Sequence, residues 1–441
     1  MSESKAPNTI TRRQAGAAML SAGAAMLSAG ALVAAGAPSA RAADPVTLKF
    51  WVAWDPALPD SKIAQAKIAQ YEAAHPGVTI ELQNMSFEAM HDKLVTAIAG
   101  GQGPDISWGL AEWLGELDRM GALADLTDAV DGWPDKAAIY PNVWTGLAVN
   151  GRIKAVPHYL GIRALLSHQA LLAKAGITAP PQSWPELLDQ AATIRAKTGK
   201  YAFAVANDTV RAPQEFFMLL VQNDAPLAEL VPGSGPARYR NNWDRDPAQL
   251  RRGTEVMALY RDLLARGAIA PNSTSWGWEE EDNNFALGQY AMVMDGSWMH
   301  LHESQYPDSM RDVQITPPPG LRNRRTYFEI NPFYVYKASA HLQQATDFAH
   351  FLITRDYQAA ARPADSPRTD VVGTGKWGTS FSSLAASGVP FPPVALGQIT
   401  RAMQDAIGRV LLRQEEPQAV AARFGKAVNH ALRQSGELAA G

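Results

Sequence analysis

Between Val46 and Trp108 the chain alternates strand and helix signals in a strict order, and that order constrains the fold more than any other feature. Val-Thr-Leu-Lys-Phe-Trp-Val-Ala over 46–53 reads as a short, mostly buried strand. Helical spacing follows through Ile63, Lys67, Ile68 and Tyr71 and is halted by His75-Pro76-Gly77. A second strand over Val78 to Leu82, a second helix over Phe87 to Ile98 and a short third strand around Asp105-Ile106-Ser107-Trp108 complete the cadence. Gly100-Gly101 and Gly103-Pro104 punctuate the last step. Such a cadence builds a wound α/β layer. Ligands of such layers gather beyond the carboxyl ends of the strands. Trp54 and Asp55 after the first strand, and Trp108 and Glu112 after the third, are therefore candidate site residues. Trp51 reads as core, and Asp105 beside Pro104 as a turn cap.

Residues 1–42 differ in character. Arg12-Arg13 precede a run rich in Ala, Gly, Leu and Met, and Ala40-Arg41-Ala42 offers a small-x-small cleavage site. This pattern predicts a cleaved export signal peptide, and the paired arginine suggests the twin-arginine route. With Ser21 and Ser28 inside it, the run is less hydrophobic than a spanning helix, so no stable membrane insertion is expected. Cutting after Ala42 leaves 399 residues, a length at which two lobes are expected.

Losing the leader takes the formal charge from −3 to −6, because Lys5, Arg12, Arg13 and Arg41 leave with Glu3. A mildly acidic body without a basic stripe argues against a nucleic-acid partner. The absence of Cys removes a disulfide framework, a thiol nucleophile, Cys-ligated zinc and an acylated cysteine from consideration. The expected product is soluble, monomeric, not lipid-anchored and delivered to the periplasm.

Further along, Pro157-His158-Tyr159 leads into the apolar segment Ile162 to Leu166. Ser183, Pro185 and Glu186 have the spacing of a helix N-cap with a capping box. The stretch 231–246 reads as an irregular excursion, and a helix over 249–264 presents Val256, Leu259, Tyr260, Leu263 and Leu264 as its buried stripe. Residues 272–298 carry the densest signal. A helix beginning near Glu279 places acidic residues in its first turn, Phe285 and Leu287 seal its buried side, and Gly288 stops it. Ala291 to Met294 is then a buried strand emerging at Asp295-Gly296-Ser297-Trp298.

Phe285-x-x-Gly288, Ala291-Met292 and Gly296-x-Trp298 resemble the extracellular (periplasmic) solute-binding protein family 1, the carbohydrate-binding component of ABC-type sugar importers. Phe50-Trp51, Tyr71-Glu72, His75-Pro76-Gly77, Gly103-Pro104-Asp105-Ile106, Leu123-x-Asp125-Leu126-Thr127, Trp184-x-Glu186-Leu187 and Ala345 to Leu352 follow in the family's order, so the resemblance spans nearly all of 44–360. Ser167-His168 replaces the Tyr-Asn pair of many relatives, Tyr327 to Pro332 departs from their Gly-rich approach, and the match weakens after Pro363. The resemblance implies a two-lobed periplasmic-binding-protein fold with a hinge and an interlobe ligand cleft. Residues 44–163 plus 329–362 would form the first lobe, and 164–328 plus 363–441 the second. It also implies a non-catalytic receptor that closes around a neutral mono- or oligosaccharide, or a polyol, and presents it to a membrane-embedded ABC permease.

Such a ligand needs flat apolar surfaces for its C–H faces and polar partners for its hydroxyls. Of 12 Trp, Trp54, Trp108, Trp276, Trp278 and Trp298 sit in loops or at strand ends. Asp55, Glu112, Glu279, Asp295, Asn331 and Arg368 are the matching polar candidates, with His158 and Tyr159 near the hinge. The bland alternatives are a hydrophobic wedge for Trp276, Trp278 and Trp298, a loop hydrogen-bonder for His158 and, favoured for Glu279 to Asp282, a solvated helix cap. Arg322, Arg324 and Arg325 would suit an anionic sugar such as a phosphosugar or uronate if they lined the cleft, but read more simply as an exposed loop. An exported glycosidase is the rival class and would need paired carboxylates about 5 to 9.5 Å apart. No serine elbow, zinc helix or phosphate loop accompanies the acidic residues, and no histidine cluster demands a metal or cofactor.

Overall fold

The computed structural model describes residues 44–56, 58–233 and 236–440. The leader and its Arg12-Arg13 pair lie outside the described residues.

Strand β1 (Val46–Val52) is central to the first lobe. It pairs in parallel with β2 (Val78–Asn84), Val46 opposite Val78, and with β3 (Ile106–Trp108), Phe50 opposite Ile106. Leu48, Phe50 and Val52 alternate into the core with no exposure. The crossover helices are α1 (Pro59–Ala74) and α2 (Phe87–Ala99). Pro59 suits the first turn of α1, where an amide hydrogen would have no partner, and Ser61, Ala64, Ile68 and Tyr71 repeat at three or four residues to bury one face. Ser86 caps α2 by accepting from the Ala89 amide.

The two sheets are joined through one residue. Strand β4 (Ala155–Ile162) belongs to the first sheet, β5 (Ala164–His168) is the middle strand of a second sheet, and Arg163 joins them. The second lobe continues with helices α3 (Arg211–Gln222), α4 (Pro247–Ala265) and α5 (Trp278–Ala286). Strands β6 (Met292–Asp295) and β7 (Val313–Thr316) flank β5, both antiparallel to it. The chain then returns as β8 (Thr326–Val335), antiparallel to β3 and to β4. Its register shifts between Asn331 and Pro332, where proline has no amide to offer the ladder. Helix α6 (Leu342–Phe351) packs on the first sheet, with the Phe348 and Phe50 rings 5.4 Å apart.

The tail serves both lobes. Pro367 accepts from the Tyr140 amide, Asp365 from the Leu160 amide, and β9 (Gly388–Val389) pairs with β8, all on the first lobe. Helices α7 (Gly397–Leu411) and α8 (Pro417–Gln434) instead pack with α3 and α4 of the second. The backbone partners of 365–370 and 388–389 thus lie beside the first sheet, whereas 397–434 pack on helices beside the second.

Three local expectations are also corrected. Leu287 does not seal the α5 helix. It stands 48% exposed one residue past the last turn, while Phe285 is fully buried. Glu186 does not close a capping box on Ser183; Ser183 accepts from the Glu186 amide, but the Glu186 carboxylate accepts from Gln182. The stretch 231–246 is less irregular than its composition suggests, since Glu229–Val231 and Arg238–Arg240 form an antiparallel ribbon and Trp243 is buried.

Trp243 also reverses the usual effect of a helix glycine. Replacing a mid-helix Gly by Ala ordinarily gains about 1 kcal/mol, but a Cβ at Gly253 of α4 would stand 2.5 Å from the Trp243 ring. Overpacking of this kind costs about 1–3 kcal/mol. We expect Gly253→Ala to lower the urea midpoint; a raised midpoint would show that the indole yields freely.

Candidate functional site

The end of β1, the start of α2, the β4–β5 junction and the middle of β8 face α3, the start of α5 and the turn after β6. A cavity of about 290 Å³ lies between these two walls. From the first lobe Trp54, Asp55, Phe87, Tyr159 and Glu329 line it, with Asp60, Arg362 and Asp365 at one side. From the second come Arg211, Gln214, Trp278, Trp298 and His300. Arg163 belongs to the junction itself. A second cavity of about 510 Å³ adjoins it and shares Phe87, Val210, Gln214 and Trp278 with it. Glu112 and Trp113 are on the wall of that second cavity.

Trp298 is held by fixed partners. Its Nε1 donates to Asp282 at 3.1 Å. The guanidinium carbons of Arg163 and Arg211 stand 4.6 and 5.6 Å from its ring centroid. Glycine is needed at 296, because any Cβ there would overlap the indole. The strand-end sequence Asp295-Gly296-Ser297-Trp298 therefore folds the ring back over buried charges.

Those charges centre on Arg211, which is buried. Its guanidinium meets Glu281 at 3.1 Å and Asp295 at 2.9 Å, and also pairs with Asp282. Burial alone would lower the arginine's pKa, but Asp295, Asp282 and Glu281 outweigh it and hold it well above the ordinary value. Burial pushes Glu281 up to about 7, against the pull of Arg211. Desolvation and Glu281 likewise raise Glu215. The cluster fixes α3, α5 and β6 as one wall.

The two walls meet at Gln214. Its amide nitrogen donates to Glu329 at 2.6 Å and to Glu112 at 3.2 Å, both on the first lobe. Its amide oxygen accepts from the Arg163 guanidinium. Tyr327 donates to Glu112 at 2.5 Å, and Asn331 donates to Glu329 at 2.8 Å. A second tie joins Ser297 to Asp365 at 3.0 Å, and Asp365 pairs with Arg362. The Arg362 guanidinium carbon lies 3.9 Å over the Tyr159 ring.

Of the residues expected at the site, the structure brings Trp54, Asp55, Tyr159, Trp278 and Trp298 to the first cavity and Glu112 and Trp278 to the second. The others lie elsewhere. Trp108 is 2% exposed in the first core, against Phe87 and Trp113. His158 is buried and stacked on Phe333 at 4.3 Å; burial and Arg362 hold its pKa well below the ordinary value, so the ring is neutral. Asp295 and Asn331 are buried behind the surface and act through Arg211 and Glu329. Trp276 is half-buried near Tyr290 and does not line the cavity. Glu279 is exposed on the first turn of α5. Arg368 is buried in the first lobe, where Asp135, Asp370 and the Ile353 carbonyl take up its donors.

Sequence reasoning missed Phe87, Arg163, Arg211, Gln214, Glu329, Arg362 and Asp365. A signal existed for Arg163, a lone charge inside an apolar run, since such a charge survives burial only with partners. Arg322, Arg324 and Arg325 are exposed and none lines the cleft. Among the described residues no group of His, Asp or Glu could hold a metal ion, and no helix is long and apolar enough to cross a membrane.

Two lobes joined at a short hinge, with an aromatic and hydrogen-bonding cleft between them, define a two-lobed solute-binding protein. The family model for bacterial extracellular solute-binding proteins matches residues 55–359, and the chain belongs to that family. It is 27% identical over 329 residues to a Streptomyces antibioticus protein named as an uncharacterized lipoprotein, covering 72% of this chain and 68% of that one. Among solved structures, the sugar-binding protein MalE of Xanthomonas citri superposes with a TM-score of 0.73 at 21% identity, over 88% of this chain and 98% of that one. The GacH receptor of Streptomyces glaucescens, solved unliganded and with acarbose, gives 0.72 at 22% identity, again over 88% and 98%. A Thermotoga lettingae ABC transporter solute-binding protein bound with α-D-tagatose gives 0.72 at 24% identity, over 88% and 99%.

Burial and the neighbouring Glu329 push Glu112 up to about 7. The folded carboxyl therefore keeps its proton up to about pH 7, whereas the unfolded chain releases it near 4.5. Between those values the folded state binds more protons, so this group's contribution to stability falls as pH rises. We expect Glu112→Gln to gain stability relative to the parent between pH 5 and pH 8 in urea titrations. A difference that stays constant with pH would contradict the assignment.

Proposed function

We propose that this protein is a non-catalytic receptor that encloses a neutral carbohydrate, or a polyol, between its lobes and hands it to the permease of an ABC importer. The observation that carries the reading is one cleft in which Trp54, Trp278, Trp298 and Tyr159 supply flat apolar faces while Asp55, Gln214, Glu329 and Arg163 supply polar atoms, drawn from both lobes and their junction. Indoles accept the C–H faces of a sugar ring, and carboxylates and amides take its hydroxyls without requiring a charged ligand. Family membership and the carbohydrate ligands of the superposable structures support the same class.

The lining charges argue against an anionic sugar as the preferred ligand. Arg211 and Arg362 are already matched by carboxylates, and Glu329 lies 3.7 Å from Arg163. The same engagement argues against a glycosidase, because Glu112 and Glu329 both accept from Gln214 rather than facing each other across a free gap.

Closure bends the chain at the β4–β5 junction around Arg163 and at the approach to β8, so we assign 44–163 and 326–335 with α6 to the first lobe. Delivery outside the cytoplasm follows from the leader at 1–42, with Arg12-Arg13 as the twin-arginine signal, and the lack of Cys supports a product without a lipid tether. The body is taken to act as a monomer.

Calorimetry against a broad sugar and polyol panel tests the reading. We expect one-to-one binding of at least one member, at least a tenfold loss in Trp298→Ala, and no release of reducing ends on long incubation. Absence of binding across the panel, or turnover, would overturn it. An Arg12→Lys, Arg13→Lys double variant is expected to remain in the cytoplasm; unchanged export would remove the twin-arginine assignment alone.

A further inference from the structure

The carbohydrate reading is satisfied by the first cavity, yet the cleft does not end there. Beyond the edge-on pair of Phe87 and Trp278, whose ring centroids are 6.2 Å apart, lies the second and larger cavity of about 510 Å³. Ligand sites of roughly 300–1,000 Å³ are the usual size for small organic molecules, so each compartment has room for a ligand portion of its own. The two adjoin at Phe87 and Trp278 and at Val210 and Gln214 of α3. Gln214 is the shared polar element, since its amide touches Glu329 of the first compartment and Glu112 of the second.

The second compartment repeats the chemistry of the first with a different charge. Trp113, held edge-on by Trp108 at 5.9 Å, gives it an indole wall. Its charged lining is Glu88, Asp92, Glu116 and Asp208 with His91, beside the protonated carboxyl of Glu112, and among the described residues it includes no Lys or Arg. Part of that set is engaged. Glu116 pairs with His91 at 3.0 Å, and Asp208 accepts from the amides of Val210, Arg211 and Trp278. Among the described residues the buried Oε2 of Glu112 has no hydrogen-bond partner. A hydroxyl could supply one, whereas a carboxylate brought here would meet like charge in a partly dry space.

We propose that the ligand spans both compartments: an uncharged oligosaccharide of two or more units, its first unit between Trp54, Tyr159 and Trp298 and its extension against Trp113. The proposal rests on the carbohydrate reading and adds length and charge selection to it. Trp113 and Thr400, which line the second compartment alone, determine chain-length preference. The acidic lining rejects a uronate in the extension.

The test is calorimetric titration of the purified chain with matched mono-, di- and trisaccharides of the gluco, galacto, manno and xylo series in both anomeric linkages. Digalacturonate is set against galactobiose. We expect one neutral series to gain at least tenfold in affinity from monosaccharide to the longer members. Trp113→Ala should bring that ratio to within threefold of one. Thr400→Trp, which fills the compartment without touching the core contact between Trp113 and Trp108, should do the same. Digalacturonate should bind at least tenfold more weakly than galactobiose.

A monosaccharide that binds as tightly as every longer homologue, or a length ratio unmoved in both variants, would overturn the proposal while leaving the receptor reading in place. Tighter binding of digalacturonate would overturn the charge selection. Silence across the whole panel would remove the carbohydrate reading and this inference with it.

Discussion

The hydrogen bond from the Arg163 guanidinium to the Gln214 amide oxygen is the contact on which the cleft depends. Arg163 is the one residue between a strand of the first sheet and a strand of the second, and it is 2% exposed. A charge in that position is tolerated only with partners. It finds them in Gln214, the Gly161 carbonyl, Glu329 at 3.7 Å and the Trp298 ring. The junction between the sheets and the cavity wall thus share the same side chain. Any change in the angle between the sheets at this junction would also disturb the contacts Arg163 makes with Gln214 and Trp298.

Behind that contact the second lobe is stiffened by an arrangement that is costly in isolation. One arginine, Arg211, is surrounded by Glu281, Asp282 and Asp295 with Glu215 nearby. Buried ion pairs often contribute little net stability, but removal of one partner leaves an uncompensated charge that is strongly destabilising. The cluster is therefore best understood as a device for position. It locks α3, α5 and β6 in mutual register, and Trp298, tied to Asp282, takes its orientation from them. The first lobe positions Tyr159 in an analogous way, through Arg362 and Asp365.

Much of the fold was legible along the chain because its elements are locally punctuated. Pro and Gly mark the ends of α1 and α2, and the period changes from two to about four between β1 and α1, so order and type could be read from neighbours in sequence. The apolar stripe over 249–264 marks a helix that runs in the structure from Pro247 to Ala265. Leu287 misled because an apolar residue just past a helix end points wherever the following turn sends it. The site was less legible. Trp54, Tyr159, Trp278 and Trp298 could be named because large aromatics at strand and helix ends have few core roles, whereas Trp108 and Trp276 met the same criterion and lie away from the cavity.

The sequence by itself determined the family, the α/β cadence and the aromatic character of much of the cavity lining, since these rest on local pattern and residue type. The tertiary structure alone decided which polar groups face the cleft. Asp295, His158, Asn331 and Arg368 have the chemistry of ligand contacts and are buried behind the cleft surface or in the first lobe, while Gln214 and Glu329, ordinary residues within a helix and a strand, stand at its centre. The physical reason is that a polar side chain takes whichever partner closes its hydrogen bonds at least cost, and that partner is 51 residues away for Arg163 and 84 for Arg211 with Asp295. Spacing along the chain carries no record of such pairings until the lobes are folded against each other.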